Sequence, residues 1–176
     1  MLETLYDLVR DVPDFPKPGI LFRDITPVLL RPDALADAVR RIVAPFRSDG
    51  VNKVVAVESR GFVLGAPSAL ALSAGLVLVR KPGKLPRGTR RESYELEYGS
   101  DALEVHVDAL SPGDRALVVD DVLATGGTAA ATARLVEKAG AELVGLSFLI
   151  ELAELGGRGM VGARRLNAVL TYPRAR

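Results

Sequence analysis

Two adjacent carboxylates, Asp120 and Asp121, stand between an apolar run and a turn of small residues. The turn consists of Ala124, Thr125, Gly126, Gly127 and Thr128. Glycine lets a backbone approach an anion closely, and the free N–H groups at the start of a helix point toward it. The turn therefore suits a phosphate, and the carboxylates suit hydroxyl groups or a hard cation. A ribose phosphate carries both a phosphate and a diol, so this stretch predicts a site for one.

The flanking sequence places the two carboxylates at the end of a buried strand. The run from Ala116 to Val119 is apolar, which is typical of a parallel strand covered on both faces. An alanine-rich helix from Thr128 to Ala139 follows, with Gly140 after its end. Ligands of open parallel sheets bind at the carboxyl ends of the strands. Because paired acids are costly there without a partner, we expect a binding site and not a solvated turn.

A second strand end carries groups that suit another anion. Residues Lys53 to Val57 predict a strand, and the turn after them supplies a hydroxyl, N–H groups and the forked cation of an arginine. Further cations follow the next predicted strand, Leu76 to Val79. The predicted ligands of this anion are Ser59, Arg60, Gly61, Arg80 and Lys84. Taken alone, the same residues are also consistent with a helix cap and a charged surface.

Predicted strands and helices alternate along the chain, which predicts an α/β fold with a mostly parallel central sheet and helices on both faces. We expect one domain over residues 1–176. Within it, residues 1–31 form an N-terminal helix, near 2–12, and an irregular proline-rich hood. Residues 80–100 form a long flexible loop, with some strand character near Tyr94–Tyr98. The other predicted strands are 103–107, 143–150 and 168–172, and the other predicted helices are 35–46, with Asp33 as N-cap, and 61–74.

Composition narrows the class of protein. The chain has 176 residues, of which 48% are hydrophobic and 26% charged, as in an ordinary globular domain. A net charge of +1 argues against a nucleic-acid partner, and the lack of cysteine excludes disulfides and thiolate metal sites. We find no signal peptide and no membrane span in the sequence, so we expect a cytoplasmic protein with no membrane partner.

The segment from Val118 to Thr128 resembles the phosphoribosyl-diphosphate-binding motif of the type I phosphoribosyltransferases. The resemblance implies that Asp120 and Asp121 contact the ribose hydroxyls and that Ala124 to Thr128 wrap the 5′-phosphate. The turn at Ser59 then corresponds to the diphosphate loop of the family. The resemblance further implies the type I phosphoribosyltransferase fold, a homodimer, and Mg²⁺ bound through the substrate diphosphate, with one of the two aspartates reaching it through water.

The predicted loop at 80–100 is long for a compact domain, and such loops are often functional lids. Its segment Ser93 to Gly99 resembles the flexible catalytic loop of the adenine-specific members of the family. The resemblance implies that Glu97 moves a proton of the purine and that Tyr98 closes on the site with it. A lid has a chemical reason, since water would capture an oxocarbenium-like ribosyl cation. The alternative is that the glutamates of this loop only balance its arginines.

The segment Phe15 to Pro27 resembles the hood of the same adenine-specific members, in which the base lies in an apolar slot. The resemblance implies a wall formed by Phe22 and Arg23, whose flat side chains suit a purine. It also implies a reaction of purine salvage, in which adenine and 5-phospho-α-D-ribose 1-diphosphate give AMP and diphosphate. Two alternatives stay open: transfer to hypoxanthine, xanthine or orotate, and a regulator that binds phosphoribosyl diphosphate without turnover.

One further motif, Gly157 to Gly162, fits the G-x-G-x-x-G pattern of dinucleotide-binding sites. It lacks the preceding strand and the acidic residue some twenty positions later that such a site requires. We therefore expect no dinucleotide site there.

Overall fold

The computed structural model describes residues 4–95 and 100–173. Nine strands lie within these residues: β1 Arg10–Pro13, β2 Leu21–Asp24, β3 Lys53–Val57, β4 Gly75–Val79, β5 Thr89–Glu95, β6 Ser100–His106, β7 Arg115–Leu123, β8 Glu142–Leu152 and β9 Leu166–Tyr172. The α-helices in the same residues are α1 Leu5–Leu8, α2 Thr26–Leu29, α3 Pro32–Val43, α4 Arg60–Leu72, α5 Gly127–Lys138 and α6 Gly157–Val161. None of these helices is long and apolar enough to cross a membrane.

The central sheet has five parallel strands in the order β4-β3-β7-β8-β9. Its inner strands β3, β7 and β8 are largely apolar on both sides because both of their faces are covered. Val54 faces a cluster formed with α3 and α4, and the next residue, Val55, faces a cluster formed with α5 and with strands β5 and β6. The predicted α/β fold, with a parallel sheet between two helical layers, is confirmed.

The N-terminal segment differs from its prediction. The expected helix at 2–12 is only the short α1 in the described residues, and Arg10–Pro13 forms β1, which pairs antiparallel with β2. The apolar residues here fit a helical period, but Val9 and Val12 are β-branched and pairing with β2 decides the conformation. The hood is therefore a small β-ribbon. Helix α3 also begins earlier than predicted, at Pro32, so that Asp33 lies in its first turn and is not its cap.

The segment predicted as a long loop at 80–100 contains strand structure at its second half. Thr89–Glu95 and Ser100–His106 pair antiparallel, and this hairpin lies on the α5 side of the sheet. The hydrophobic pattern did not predict the whole of β5, because the buried face of this strand includes a charged residue, Glu92, whose partners lie on α5. Glu97 and Tyr98 lie outside the described residues, so their predicted roles stay predictions.

Candidate functional site

A cavity of about 370 Å³ opens at the carboxyl ends of β3 and β7. The two strands are neighbours in the sheet, with Ala56 opposite Val119, and this pairing brings the two predicted anion sites together. Most of the predicted ligands line the cavity: Ser59, Arg60, Asp120, Asp121, Ala124, Thr125, Gly126, Gly127 and Thr128. The parallel sheet therefore joins two motifs that are about sixty residues apart in the sequence.

The two carboxylates have different surroundings. Asp121 is buried and forms an ion pair with Arg60, which extends from the first turn of α4. Asp120 accepts a hydrogen bond at 2.8 Å from the backbone N–H of Asp121. Burial raises the pKa of the Asp120 carboxyl well above its ordinary value, and the charge of Asp121 raises this pKa further. Two neighbouring carboxylates whose charges repel each other are typical of a site that binds hydroxyl groups or a cation.

Glycine is required where α4 approaches the acid pair. A Cβ atom on Gly61 would lie 2.7 Å from Oδ1 of Asp120 and 3.2 Å from the carbonyl oxygen of Val119. The peptide bond just before this helix, between Glu58 and Ser59, is cis. The close approach places the N-terminal N–H groups of α4 beside the cavity, where they suit an anion.

The phosphate turn, residues 124–128, is shaped by backbone and not by side chains. Gly126 has a φ of +86°, a left-handed conformation that glycine adopts without strain, and α5 begins directly after it. Helix α6 packs against the turn from behind. A Cβ atom on Gly157 would lie 2.2 Å from the carbonyl oxygen of Ala124. The glycine motif at 157–162 thus has a use that its pattern did not indicate, since Gly157 lets α6 support the turn.

Two further side chains line the cavity that the sequence did not single out. Tyr94 accepts a hydrogen bond at 3.2 Å from the Thr128 hydroxyl and donates one at 3.2 Å to Oδ2 of Asp101. Lys81 pairs with the same carboxylate and holds the pKa of Asp101 below its ordinary value. Lys81 belongs to a visible cluster of cations in the sequence, whereas nothing in the sequence pattern indicated Tyr94.

The remaining predicted diphosphate ligands, Arg80 and Lys84, do not line this cavity, although Arg80 contacts Glu58, which does. Arg80 donates to Oε2 of Glu58 at 2.7 Å and to the carbonyl oxygen of Lys84 at 3.0 Å. Arg80 and Lys84 line a second cavity, of about 530 Å³, beside β4. The structure brings Ser59, Arg60 and Gly61 to the acid pair but does not bring Lys84 there. The diphosphate roles of Arg80 and Lys84 stay predictions.

The two predicted adenine contacts are placed differently. The guanidinium carbon of Arg60 lies 5.1 Å from the centroid of the Phe22 ring, so Phe22 stands beside the cavity. The side chain of Arg23 pairs with Asp11 and lies 4.1 Å from the ring centroid of Tyr172. Phe22 is thus positioned to cover a base, while the guanidinium of Arg23 is engaged within the hood and with β9.

A sheet that presents an acid pair, a phosphate turn and an anion-binding helix end in one cavity defines a class of enzyme. The family described as "Phosphoribosyl transferase domain" matches residues 29–160. This match covers most of the chain and includes both motifs of the cavity. The chain belongs to the phosphoribosyltransferase family, and the resemblance found in the sequence is confirmed.

Relatives of the chain define the branch of that family. The chain is 54% identical over 172 residues to the adenine phosphoribosyltransferase of Anaeromyxobacter dehalogenans strain 2CP-C, covering 98% of this chain and 100% of that one. It is 59% identical over 164 residues to the adenine phosphoribosyltransferase of Myxococcus xanthus strain DK1622, covering 93% and 89%. The identity thus extends through the hood, which the family match does not reach.

Solved structures agree with these relatives. The adenine phosphoribosyltransferase of Rhodothermus marinus superposes with a TM-score of 0.93 at 55% identity, covering 96% of each chain. The enzyme of Saccharomyces cerevisiae, solved with D-2,5-dideoxy-2,5-imino-altritol 1,6-bisphosphate and adenine, superposes with a TM-score of 0.89 at 38% identity, covering 94% of this chain and 96% of that one.

Proposed function

We propose that the protein transfers the phosphoribosyl group of 5-phospho-α-D-ribose 1-diphosphate to adenine, giving AMP and diphosphate in purine salvage. The observation that carries this proposal is the joining of the Asp120–Asp121 pair and the 124–128 turn in one cavity. A ribose 5-phosphate has the hydroxyls for the first and the phosphate for the second. The full-length similarity to adenine phosphoribosyltransferases supports adenine as the base.

Each part of the cavity has a role in binding. Asp120 and Asp121 accept hydrogen bonds from the ribose hydroxyls, and this contact lessens the repulsion between the two carboxylates. The N–H groups of the turn and of the first turn of α5 bind the 5′-phosphate. Ser59, Arg60 and the N-terminus of α4 bind the diphosphate, and Arg80, which donates to Glu58 in the cavity lining, adds positive charge near it.

The transfer exchanges one bond at the anomeric carbon for another. The bond from C1 to the diphosphate oxygen breaks, its electron pair leaves with the diphosphate, and N9 of adenine forms the new bond to C1. The ribosyl group has oxocarbenium character between these events, which explains why water must be excluded. Glu97 accepts the proton that N9 loses, with Tyr98 next to it in the chain. Phe22 covers the base, and Arg23 supports this part of the hood through its contacts with Asp11 and Tyr172.

A magnesium ion belongs to this proposal as a partner of the substrate. Within the described ranges, no group of three or more acidic, histidine or cysteine side chains is arranged to hold a metal. Mg²⁺ commonly takes most of its ligands from phosphates and water and only one or two from carboxylates, so Asp120 or Asp121 fits as a contact made through water. The ion supplies positive charge to the leaving diphosphate.

We also propose that the protein is a homodimer that acts in the cytoplasm. Strand β4 lies at the edge of the sheet and exposes Leu76 and Leu78, and an apolar edge of this kind favours association. The cytoplasmic location follows from the substrate, because a highly charged diphosphate does not cross a membrane unaided. Light scattering of the purified protein tests the dimer, and a monomer at micromolar concentration would contradict it.

An assay with radiolabelled bases tests the activity. We expect AMP from adenine, phosphoribosyl diphosphate and Mg²⁺, at least a hundredfold faster than nucleotide formation from hypoxanthine, xanthine or orotate, and little product when Mg²⁺ is omitted. Equal rates with another base would reject adenine as the specific substrate. Tight binding of phosphoribosyl diphosphate with no product from any base, together with a gel shift of nucleic acid, would favour a regulator instead.

A further inference from the structure

The Tyr94 hydroxyl joins two regions that the chemistry must coordinate. Its side chain is 8% exposed, and the oxygen lies 3.2 Å from the Thr128 hydroxyl of the phosphate turn and 3.2 Å from Oδ2 of Asp101 on β6. Lys81, which lines the same cavity, pairs with that Asp101 carboxylate. One phenol therefore connects the turn, the hairpin and a cation of the cavity.

Strand β5 is attached to α5 at two points. Glu92 is buried and receives hydrogen bonds from Arg134 and Lys138 on the later turns of α5. Tyr94 contacts Thr128 at the first turn of the same helix. The strand thus runs along the helix toward its N-terminus, where the 5′-phosphate is proposed to bind. Backbone pairing with β6 sets the register of the strand, and these side chains set its position on α5.

Tyr94 stands three residues before Glu97, the proposed acid–base residue. Resting on the proposed function, we infer that Tyr94 is a positioning residue. When phosphate occupies the turn, the hydrogen bond between the Tyr94 hydroxyl and Thr128 holds β5, the strand that leads toward Glu97, in place. The residue acts through Thr128 and through β5 and does not itself transfer a proton to the substrate.

The chemistry of hydroxyl groups allows this contact to persist when phosphate binds. The Thr128 hydroxyl has one proton, and a phosphoryl oxygen is a stronger acceptor than a phenol. When a phosphoryl oxygen accepts the hydrogen bond of the Thr128 hydroxyl, the Tyr94 hydroxyl can donate its own hydrogen bond to Thr128 instead of to Asp101. The strand then stays attached to the turn, and Asp101 keeps Lys81 and the backbone N–H of Ala102 as partners. Phenylalanine at 94 would keep the packing and lose both contacts.

Steady-state kinetics of Tyr94→Phe test the inference. We expect kcat to fall about tenfold, the loss of one well-placed hydrogen bond, while the KM values for adenine and phosphoribosyl diphosphate change less than threefold. A matched control is Tyr6→Phe, which removes a phenol that bonds to the backbone of Thr171 and does not line the cavity. A kcat of Tyr94→Phe within twofold of the wild type would overturn the inference.

The double variant separates positioning from general stability. If Tyr94 acts through Thr128, adding Tyr94→Phe to Thr128→Val should lower kcat by less than twofold beyond Thr128→Val alone. If the two losses multiply, the inference is wrong.

Hydrogen exchange gives a readout that needs no turnover. Ribose 5-phosphate should slow exchange of the backbone amides of Thr89–Glu95 in the wild type and in Tyr6→Phe, but not in Tyr94→Phe. Equal protection in all three proteins would overturn the inference. A wild type that makes no AMP would reject the proposed function, and the exchange result would still decide the role of Tyr94.

Discussion

The two sides of the cavity are built on different principles. The phosphate turn is one continuous piece of backbone between β7 and α5, and glycines at 126 and 157 let it pack against α6. The hairpin of β5 and β6 reaches the same cavity through side chains, with Glu92 and Tyr94 attached to α5 and Lys81 attached to Asp101.

The phosphate turn is therefore fixed in shape, whereas the position of the hairpin on α5 depends on side-chain contacts that can change. A turn held by backbone contacts cannot change shape without disturbing two helices, so it is suited to bind a phosphate in one fixed position. Backbone pairing joins β5 to β6, and only its attachment to α5 depends on a few polar side-chain contacts, which can rearrange at modest free-energy cost. Four substitutions, taken from the largest expected effect to the smallest, examine this comparison.

Glu97→Gln tests the segment to which the hairpin leads. Loss of a positioned base should lower kcat about 100- to 1000-fold with a smaller change in the KM for phosphoribosyl diphosphate. Glu142→Gln is the control, because Glu142 pairs with Arg115 at the far end of the sheet. A wild-type kcat in Glu97→Gln would mean that the glutamates of this segment only balance nearby arginines.

Gly157→Ala tests the rigid side. The added methyl group would meet the carbonyl oxygen of Ala124 and displace the phosphate turn, so kcat/KM for phosphoribosyl diphosphate should fall about 10- to 100-fold. The matched control is Gly159→Ala in the same helix, where an added Cβ has no neighbour within 4 Å. Equal kinetics for the two variants would show that the turn is less constrained than its packing implies.

Asp120→Asn tests whether the carboxylate that binds the ribose also lowers the stability of the fold. The pKa of Asp120 is raised in the folded protein, so the ionised carboxyl disfavours folding at neutral pH, and the amide should raise Tm by about 2–4 °C. The KM for phosphoribosyl diphosphate should rise about tenfold, because an amide is a weaker acceptor for the ribose hydroxyls. Asp108→Asn, in a surface pair with Arg87, should change neither quantity. A lower Tm for Asp120→Asn would refute the proposed repulsion.

Glu92→Gln tests the attachment of the hairpin to α5. The hydrogen bond from Lys138, and then that from Arg134, lower the pKa of Glu92 below its ordinary value of 4.5. Its stabilisation is therefore present above that pH and is lost as the pH falls through the lowered pKa. The wild type should exceed Glu92→Gln by about 1 kcal/mol in urea unfolding at pH 7, and this difference should shrink toward pH 3. A difference that does not depend on pH would exclude the ion pairs as its cause.

Much of the binding side was predictable because its signals are local. The apolar run before Asp120 predicted β7, and the glycines and threonines predicted the turn and the start of α5. The strand extends farther than predicted, to Leu123, so that Asp120 and Asp121 lie within its last residues and not after its end. The Ser59–Arg60 turn was predicted for the same reason. Even Phe22, which the resemblance placed against the base, stands beside Arg60 at the cavity.

Of the hairpin, the sequence predicted β6, as the strand at 103–107, but not the full length of β5, because the contacts that hold β5 lie far along the chain. In the sequence, Glu92 is typical of a surface position, and only the structure shows it bonded to Arg134 and Lys138. Tyr94 is likewise one aromatic residue in a charged segment, and only the structure places its hydroxyl 3.2 Å from that of Thr128. The β-ribbon of the hood has the same explanation, since Arg10–Pro13 is a strand only where β2 pairs with it.

The sequence by itself determined the five strands of the central sheet, the helices α3, α4 and α5, the acid pair and the phosphate turn, because hydrophobic period and glycine conformation act over a few residues. Only the tertiary structure decided that Gly157 supports the turn, that Lys81 and Tyr94 face the cavity, and that Lys84 lies beside β4 instead. These outcomes depend on which strands become neighbours in the sheet, and that choice is a property of the whole packed chain.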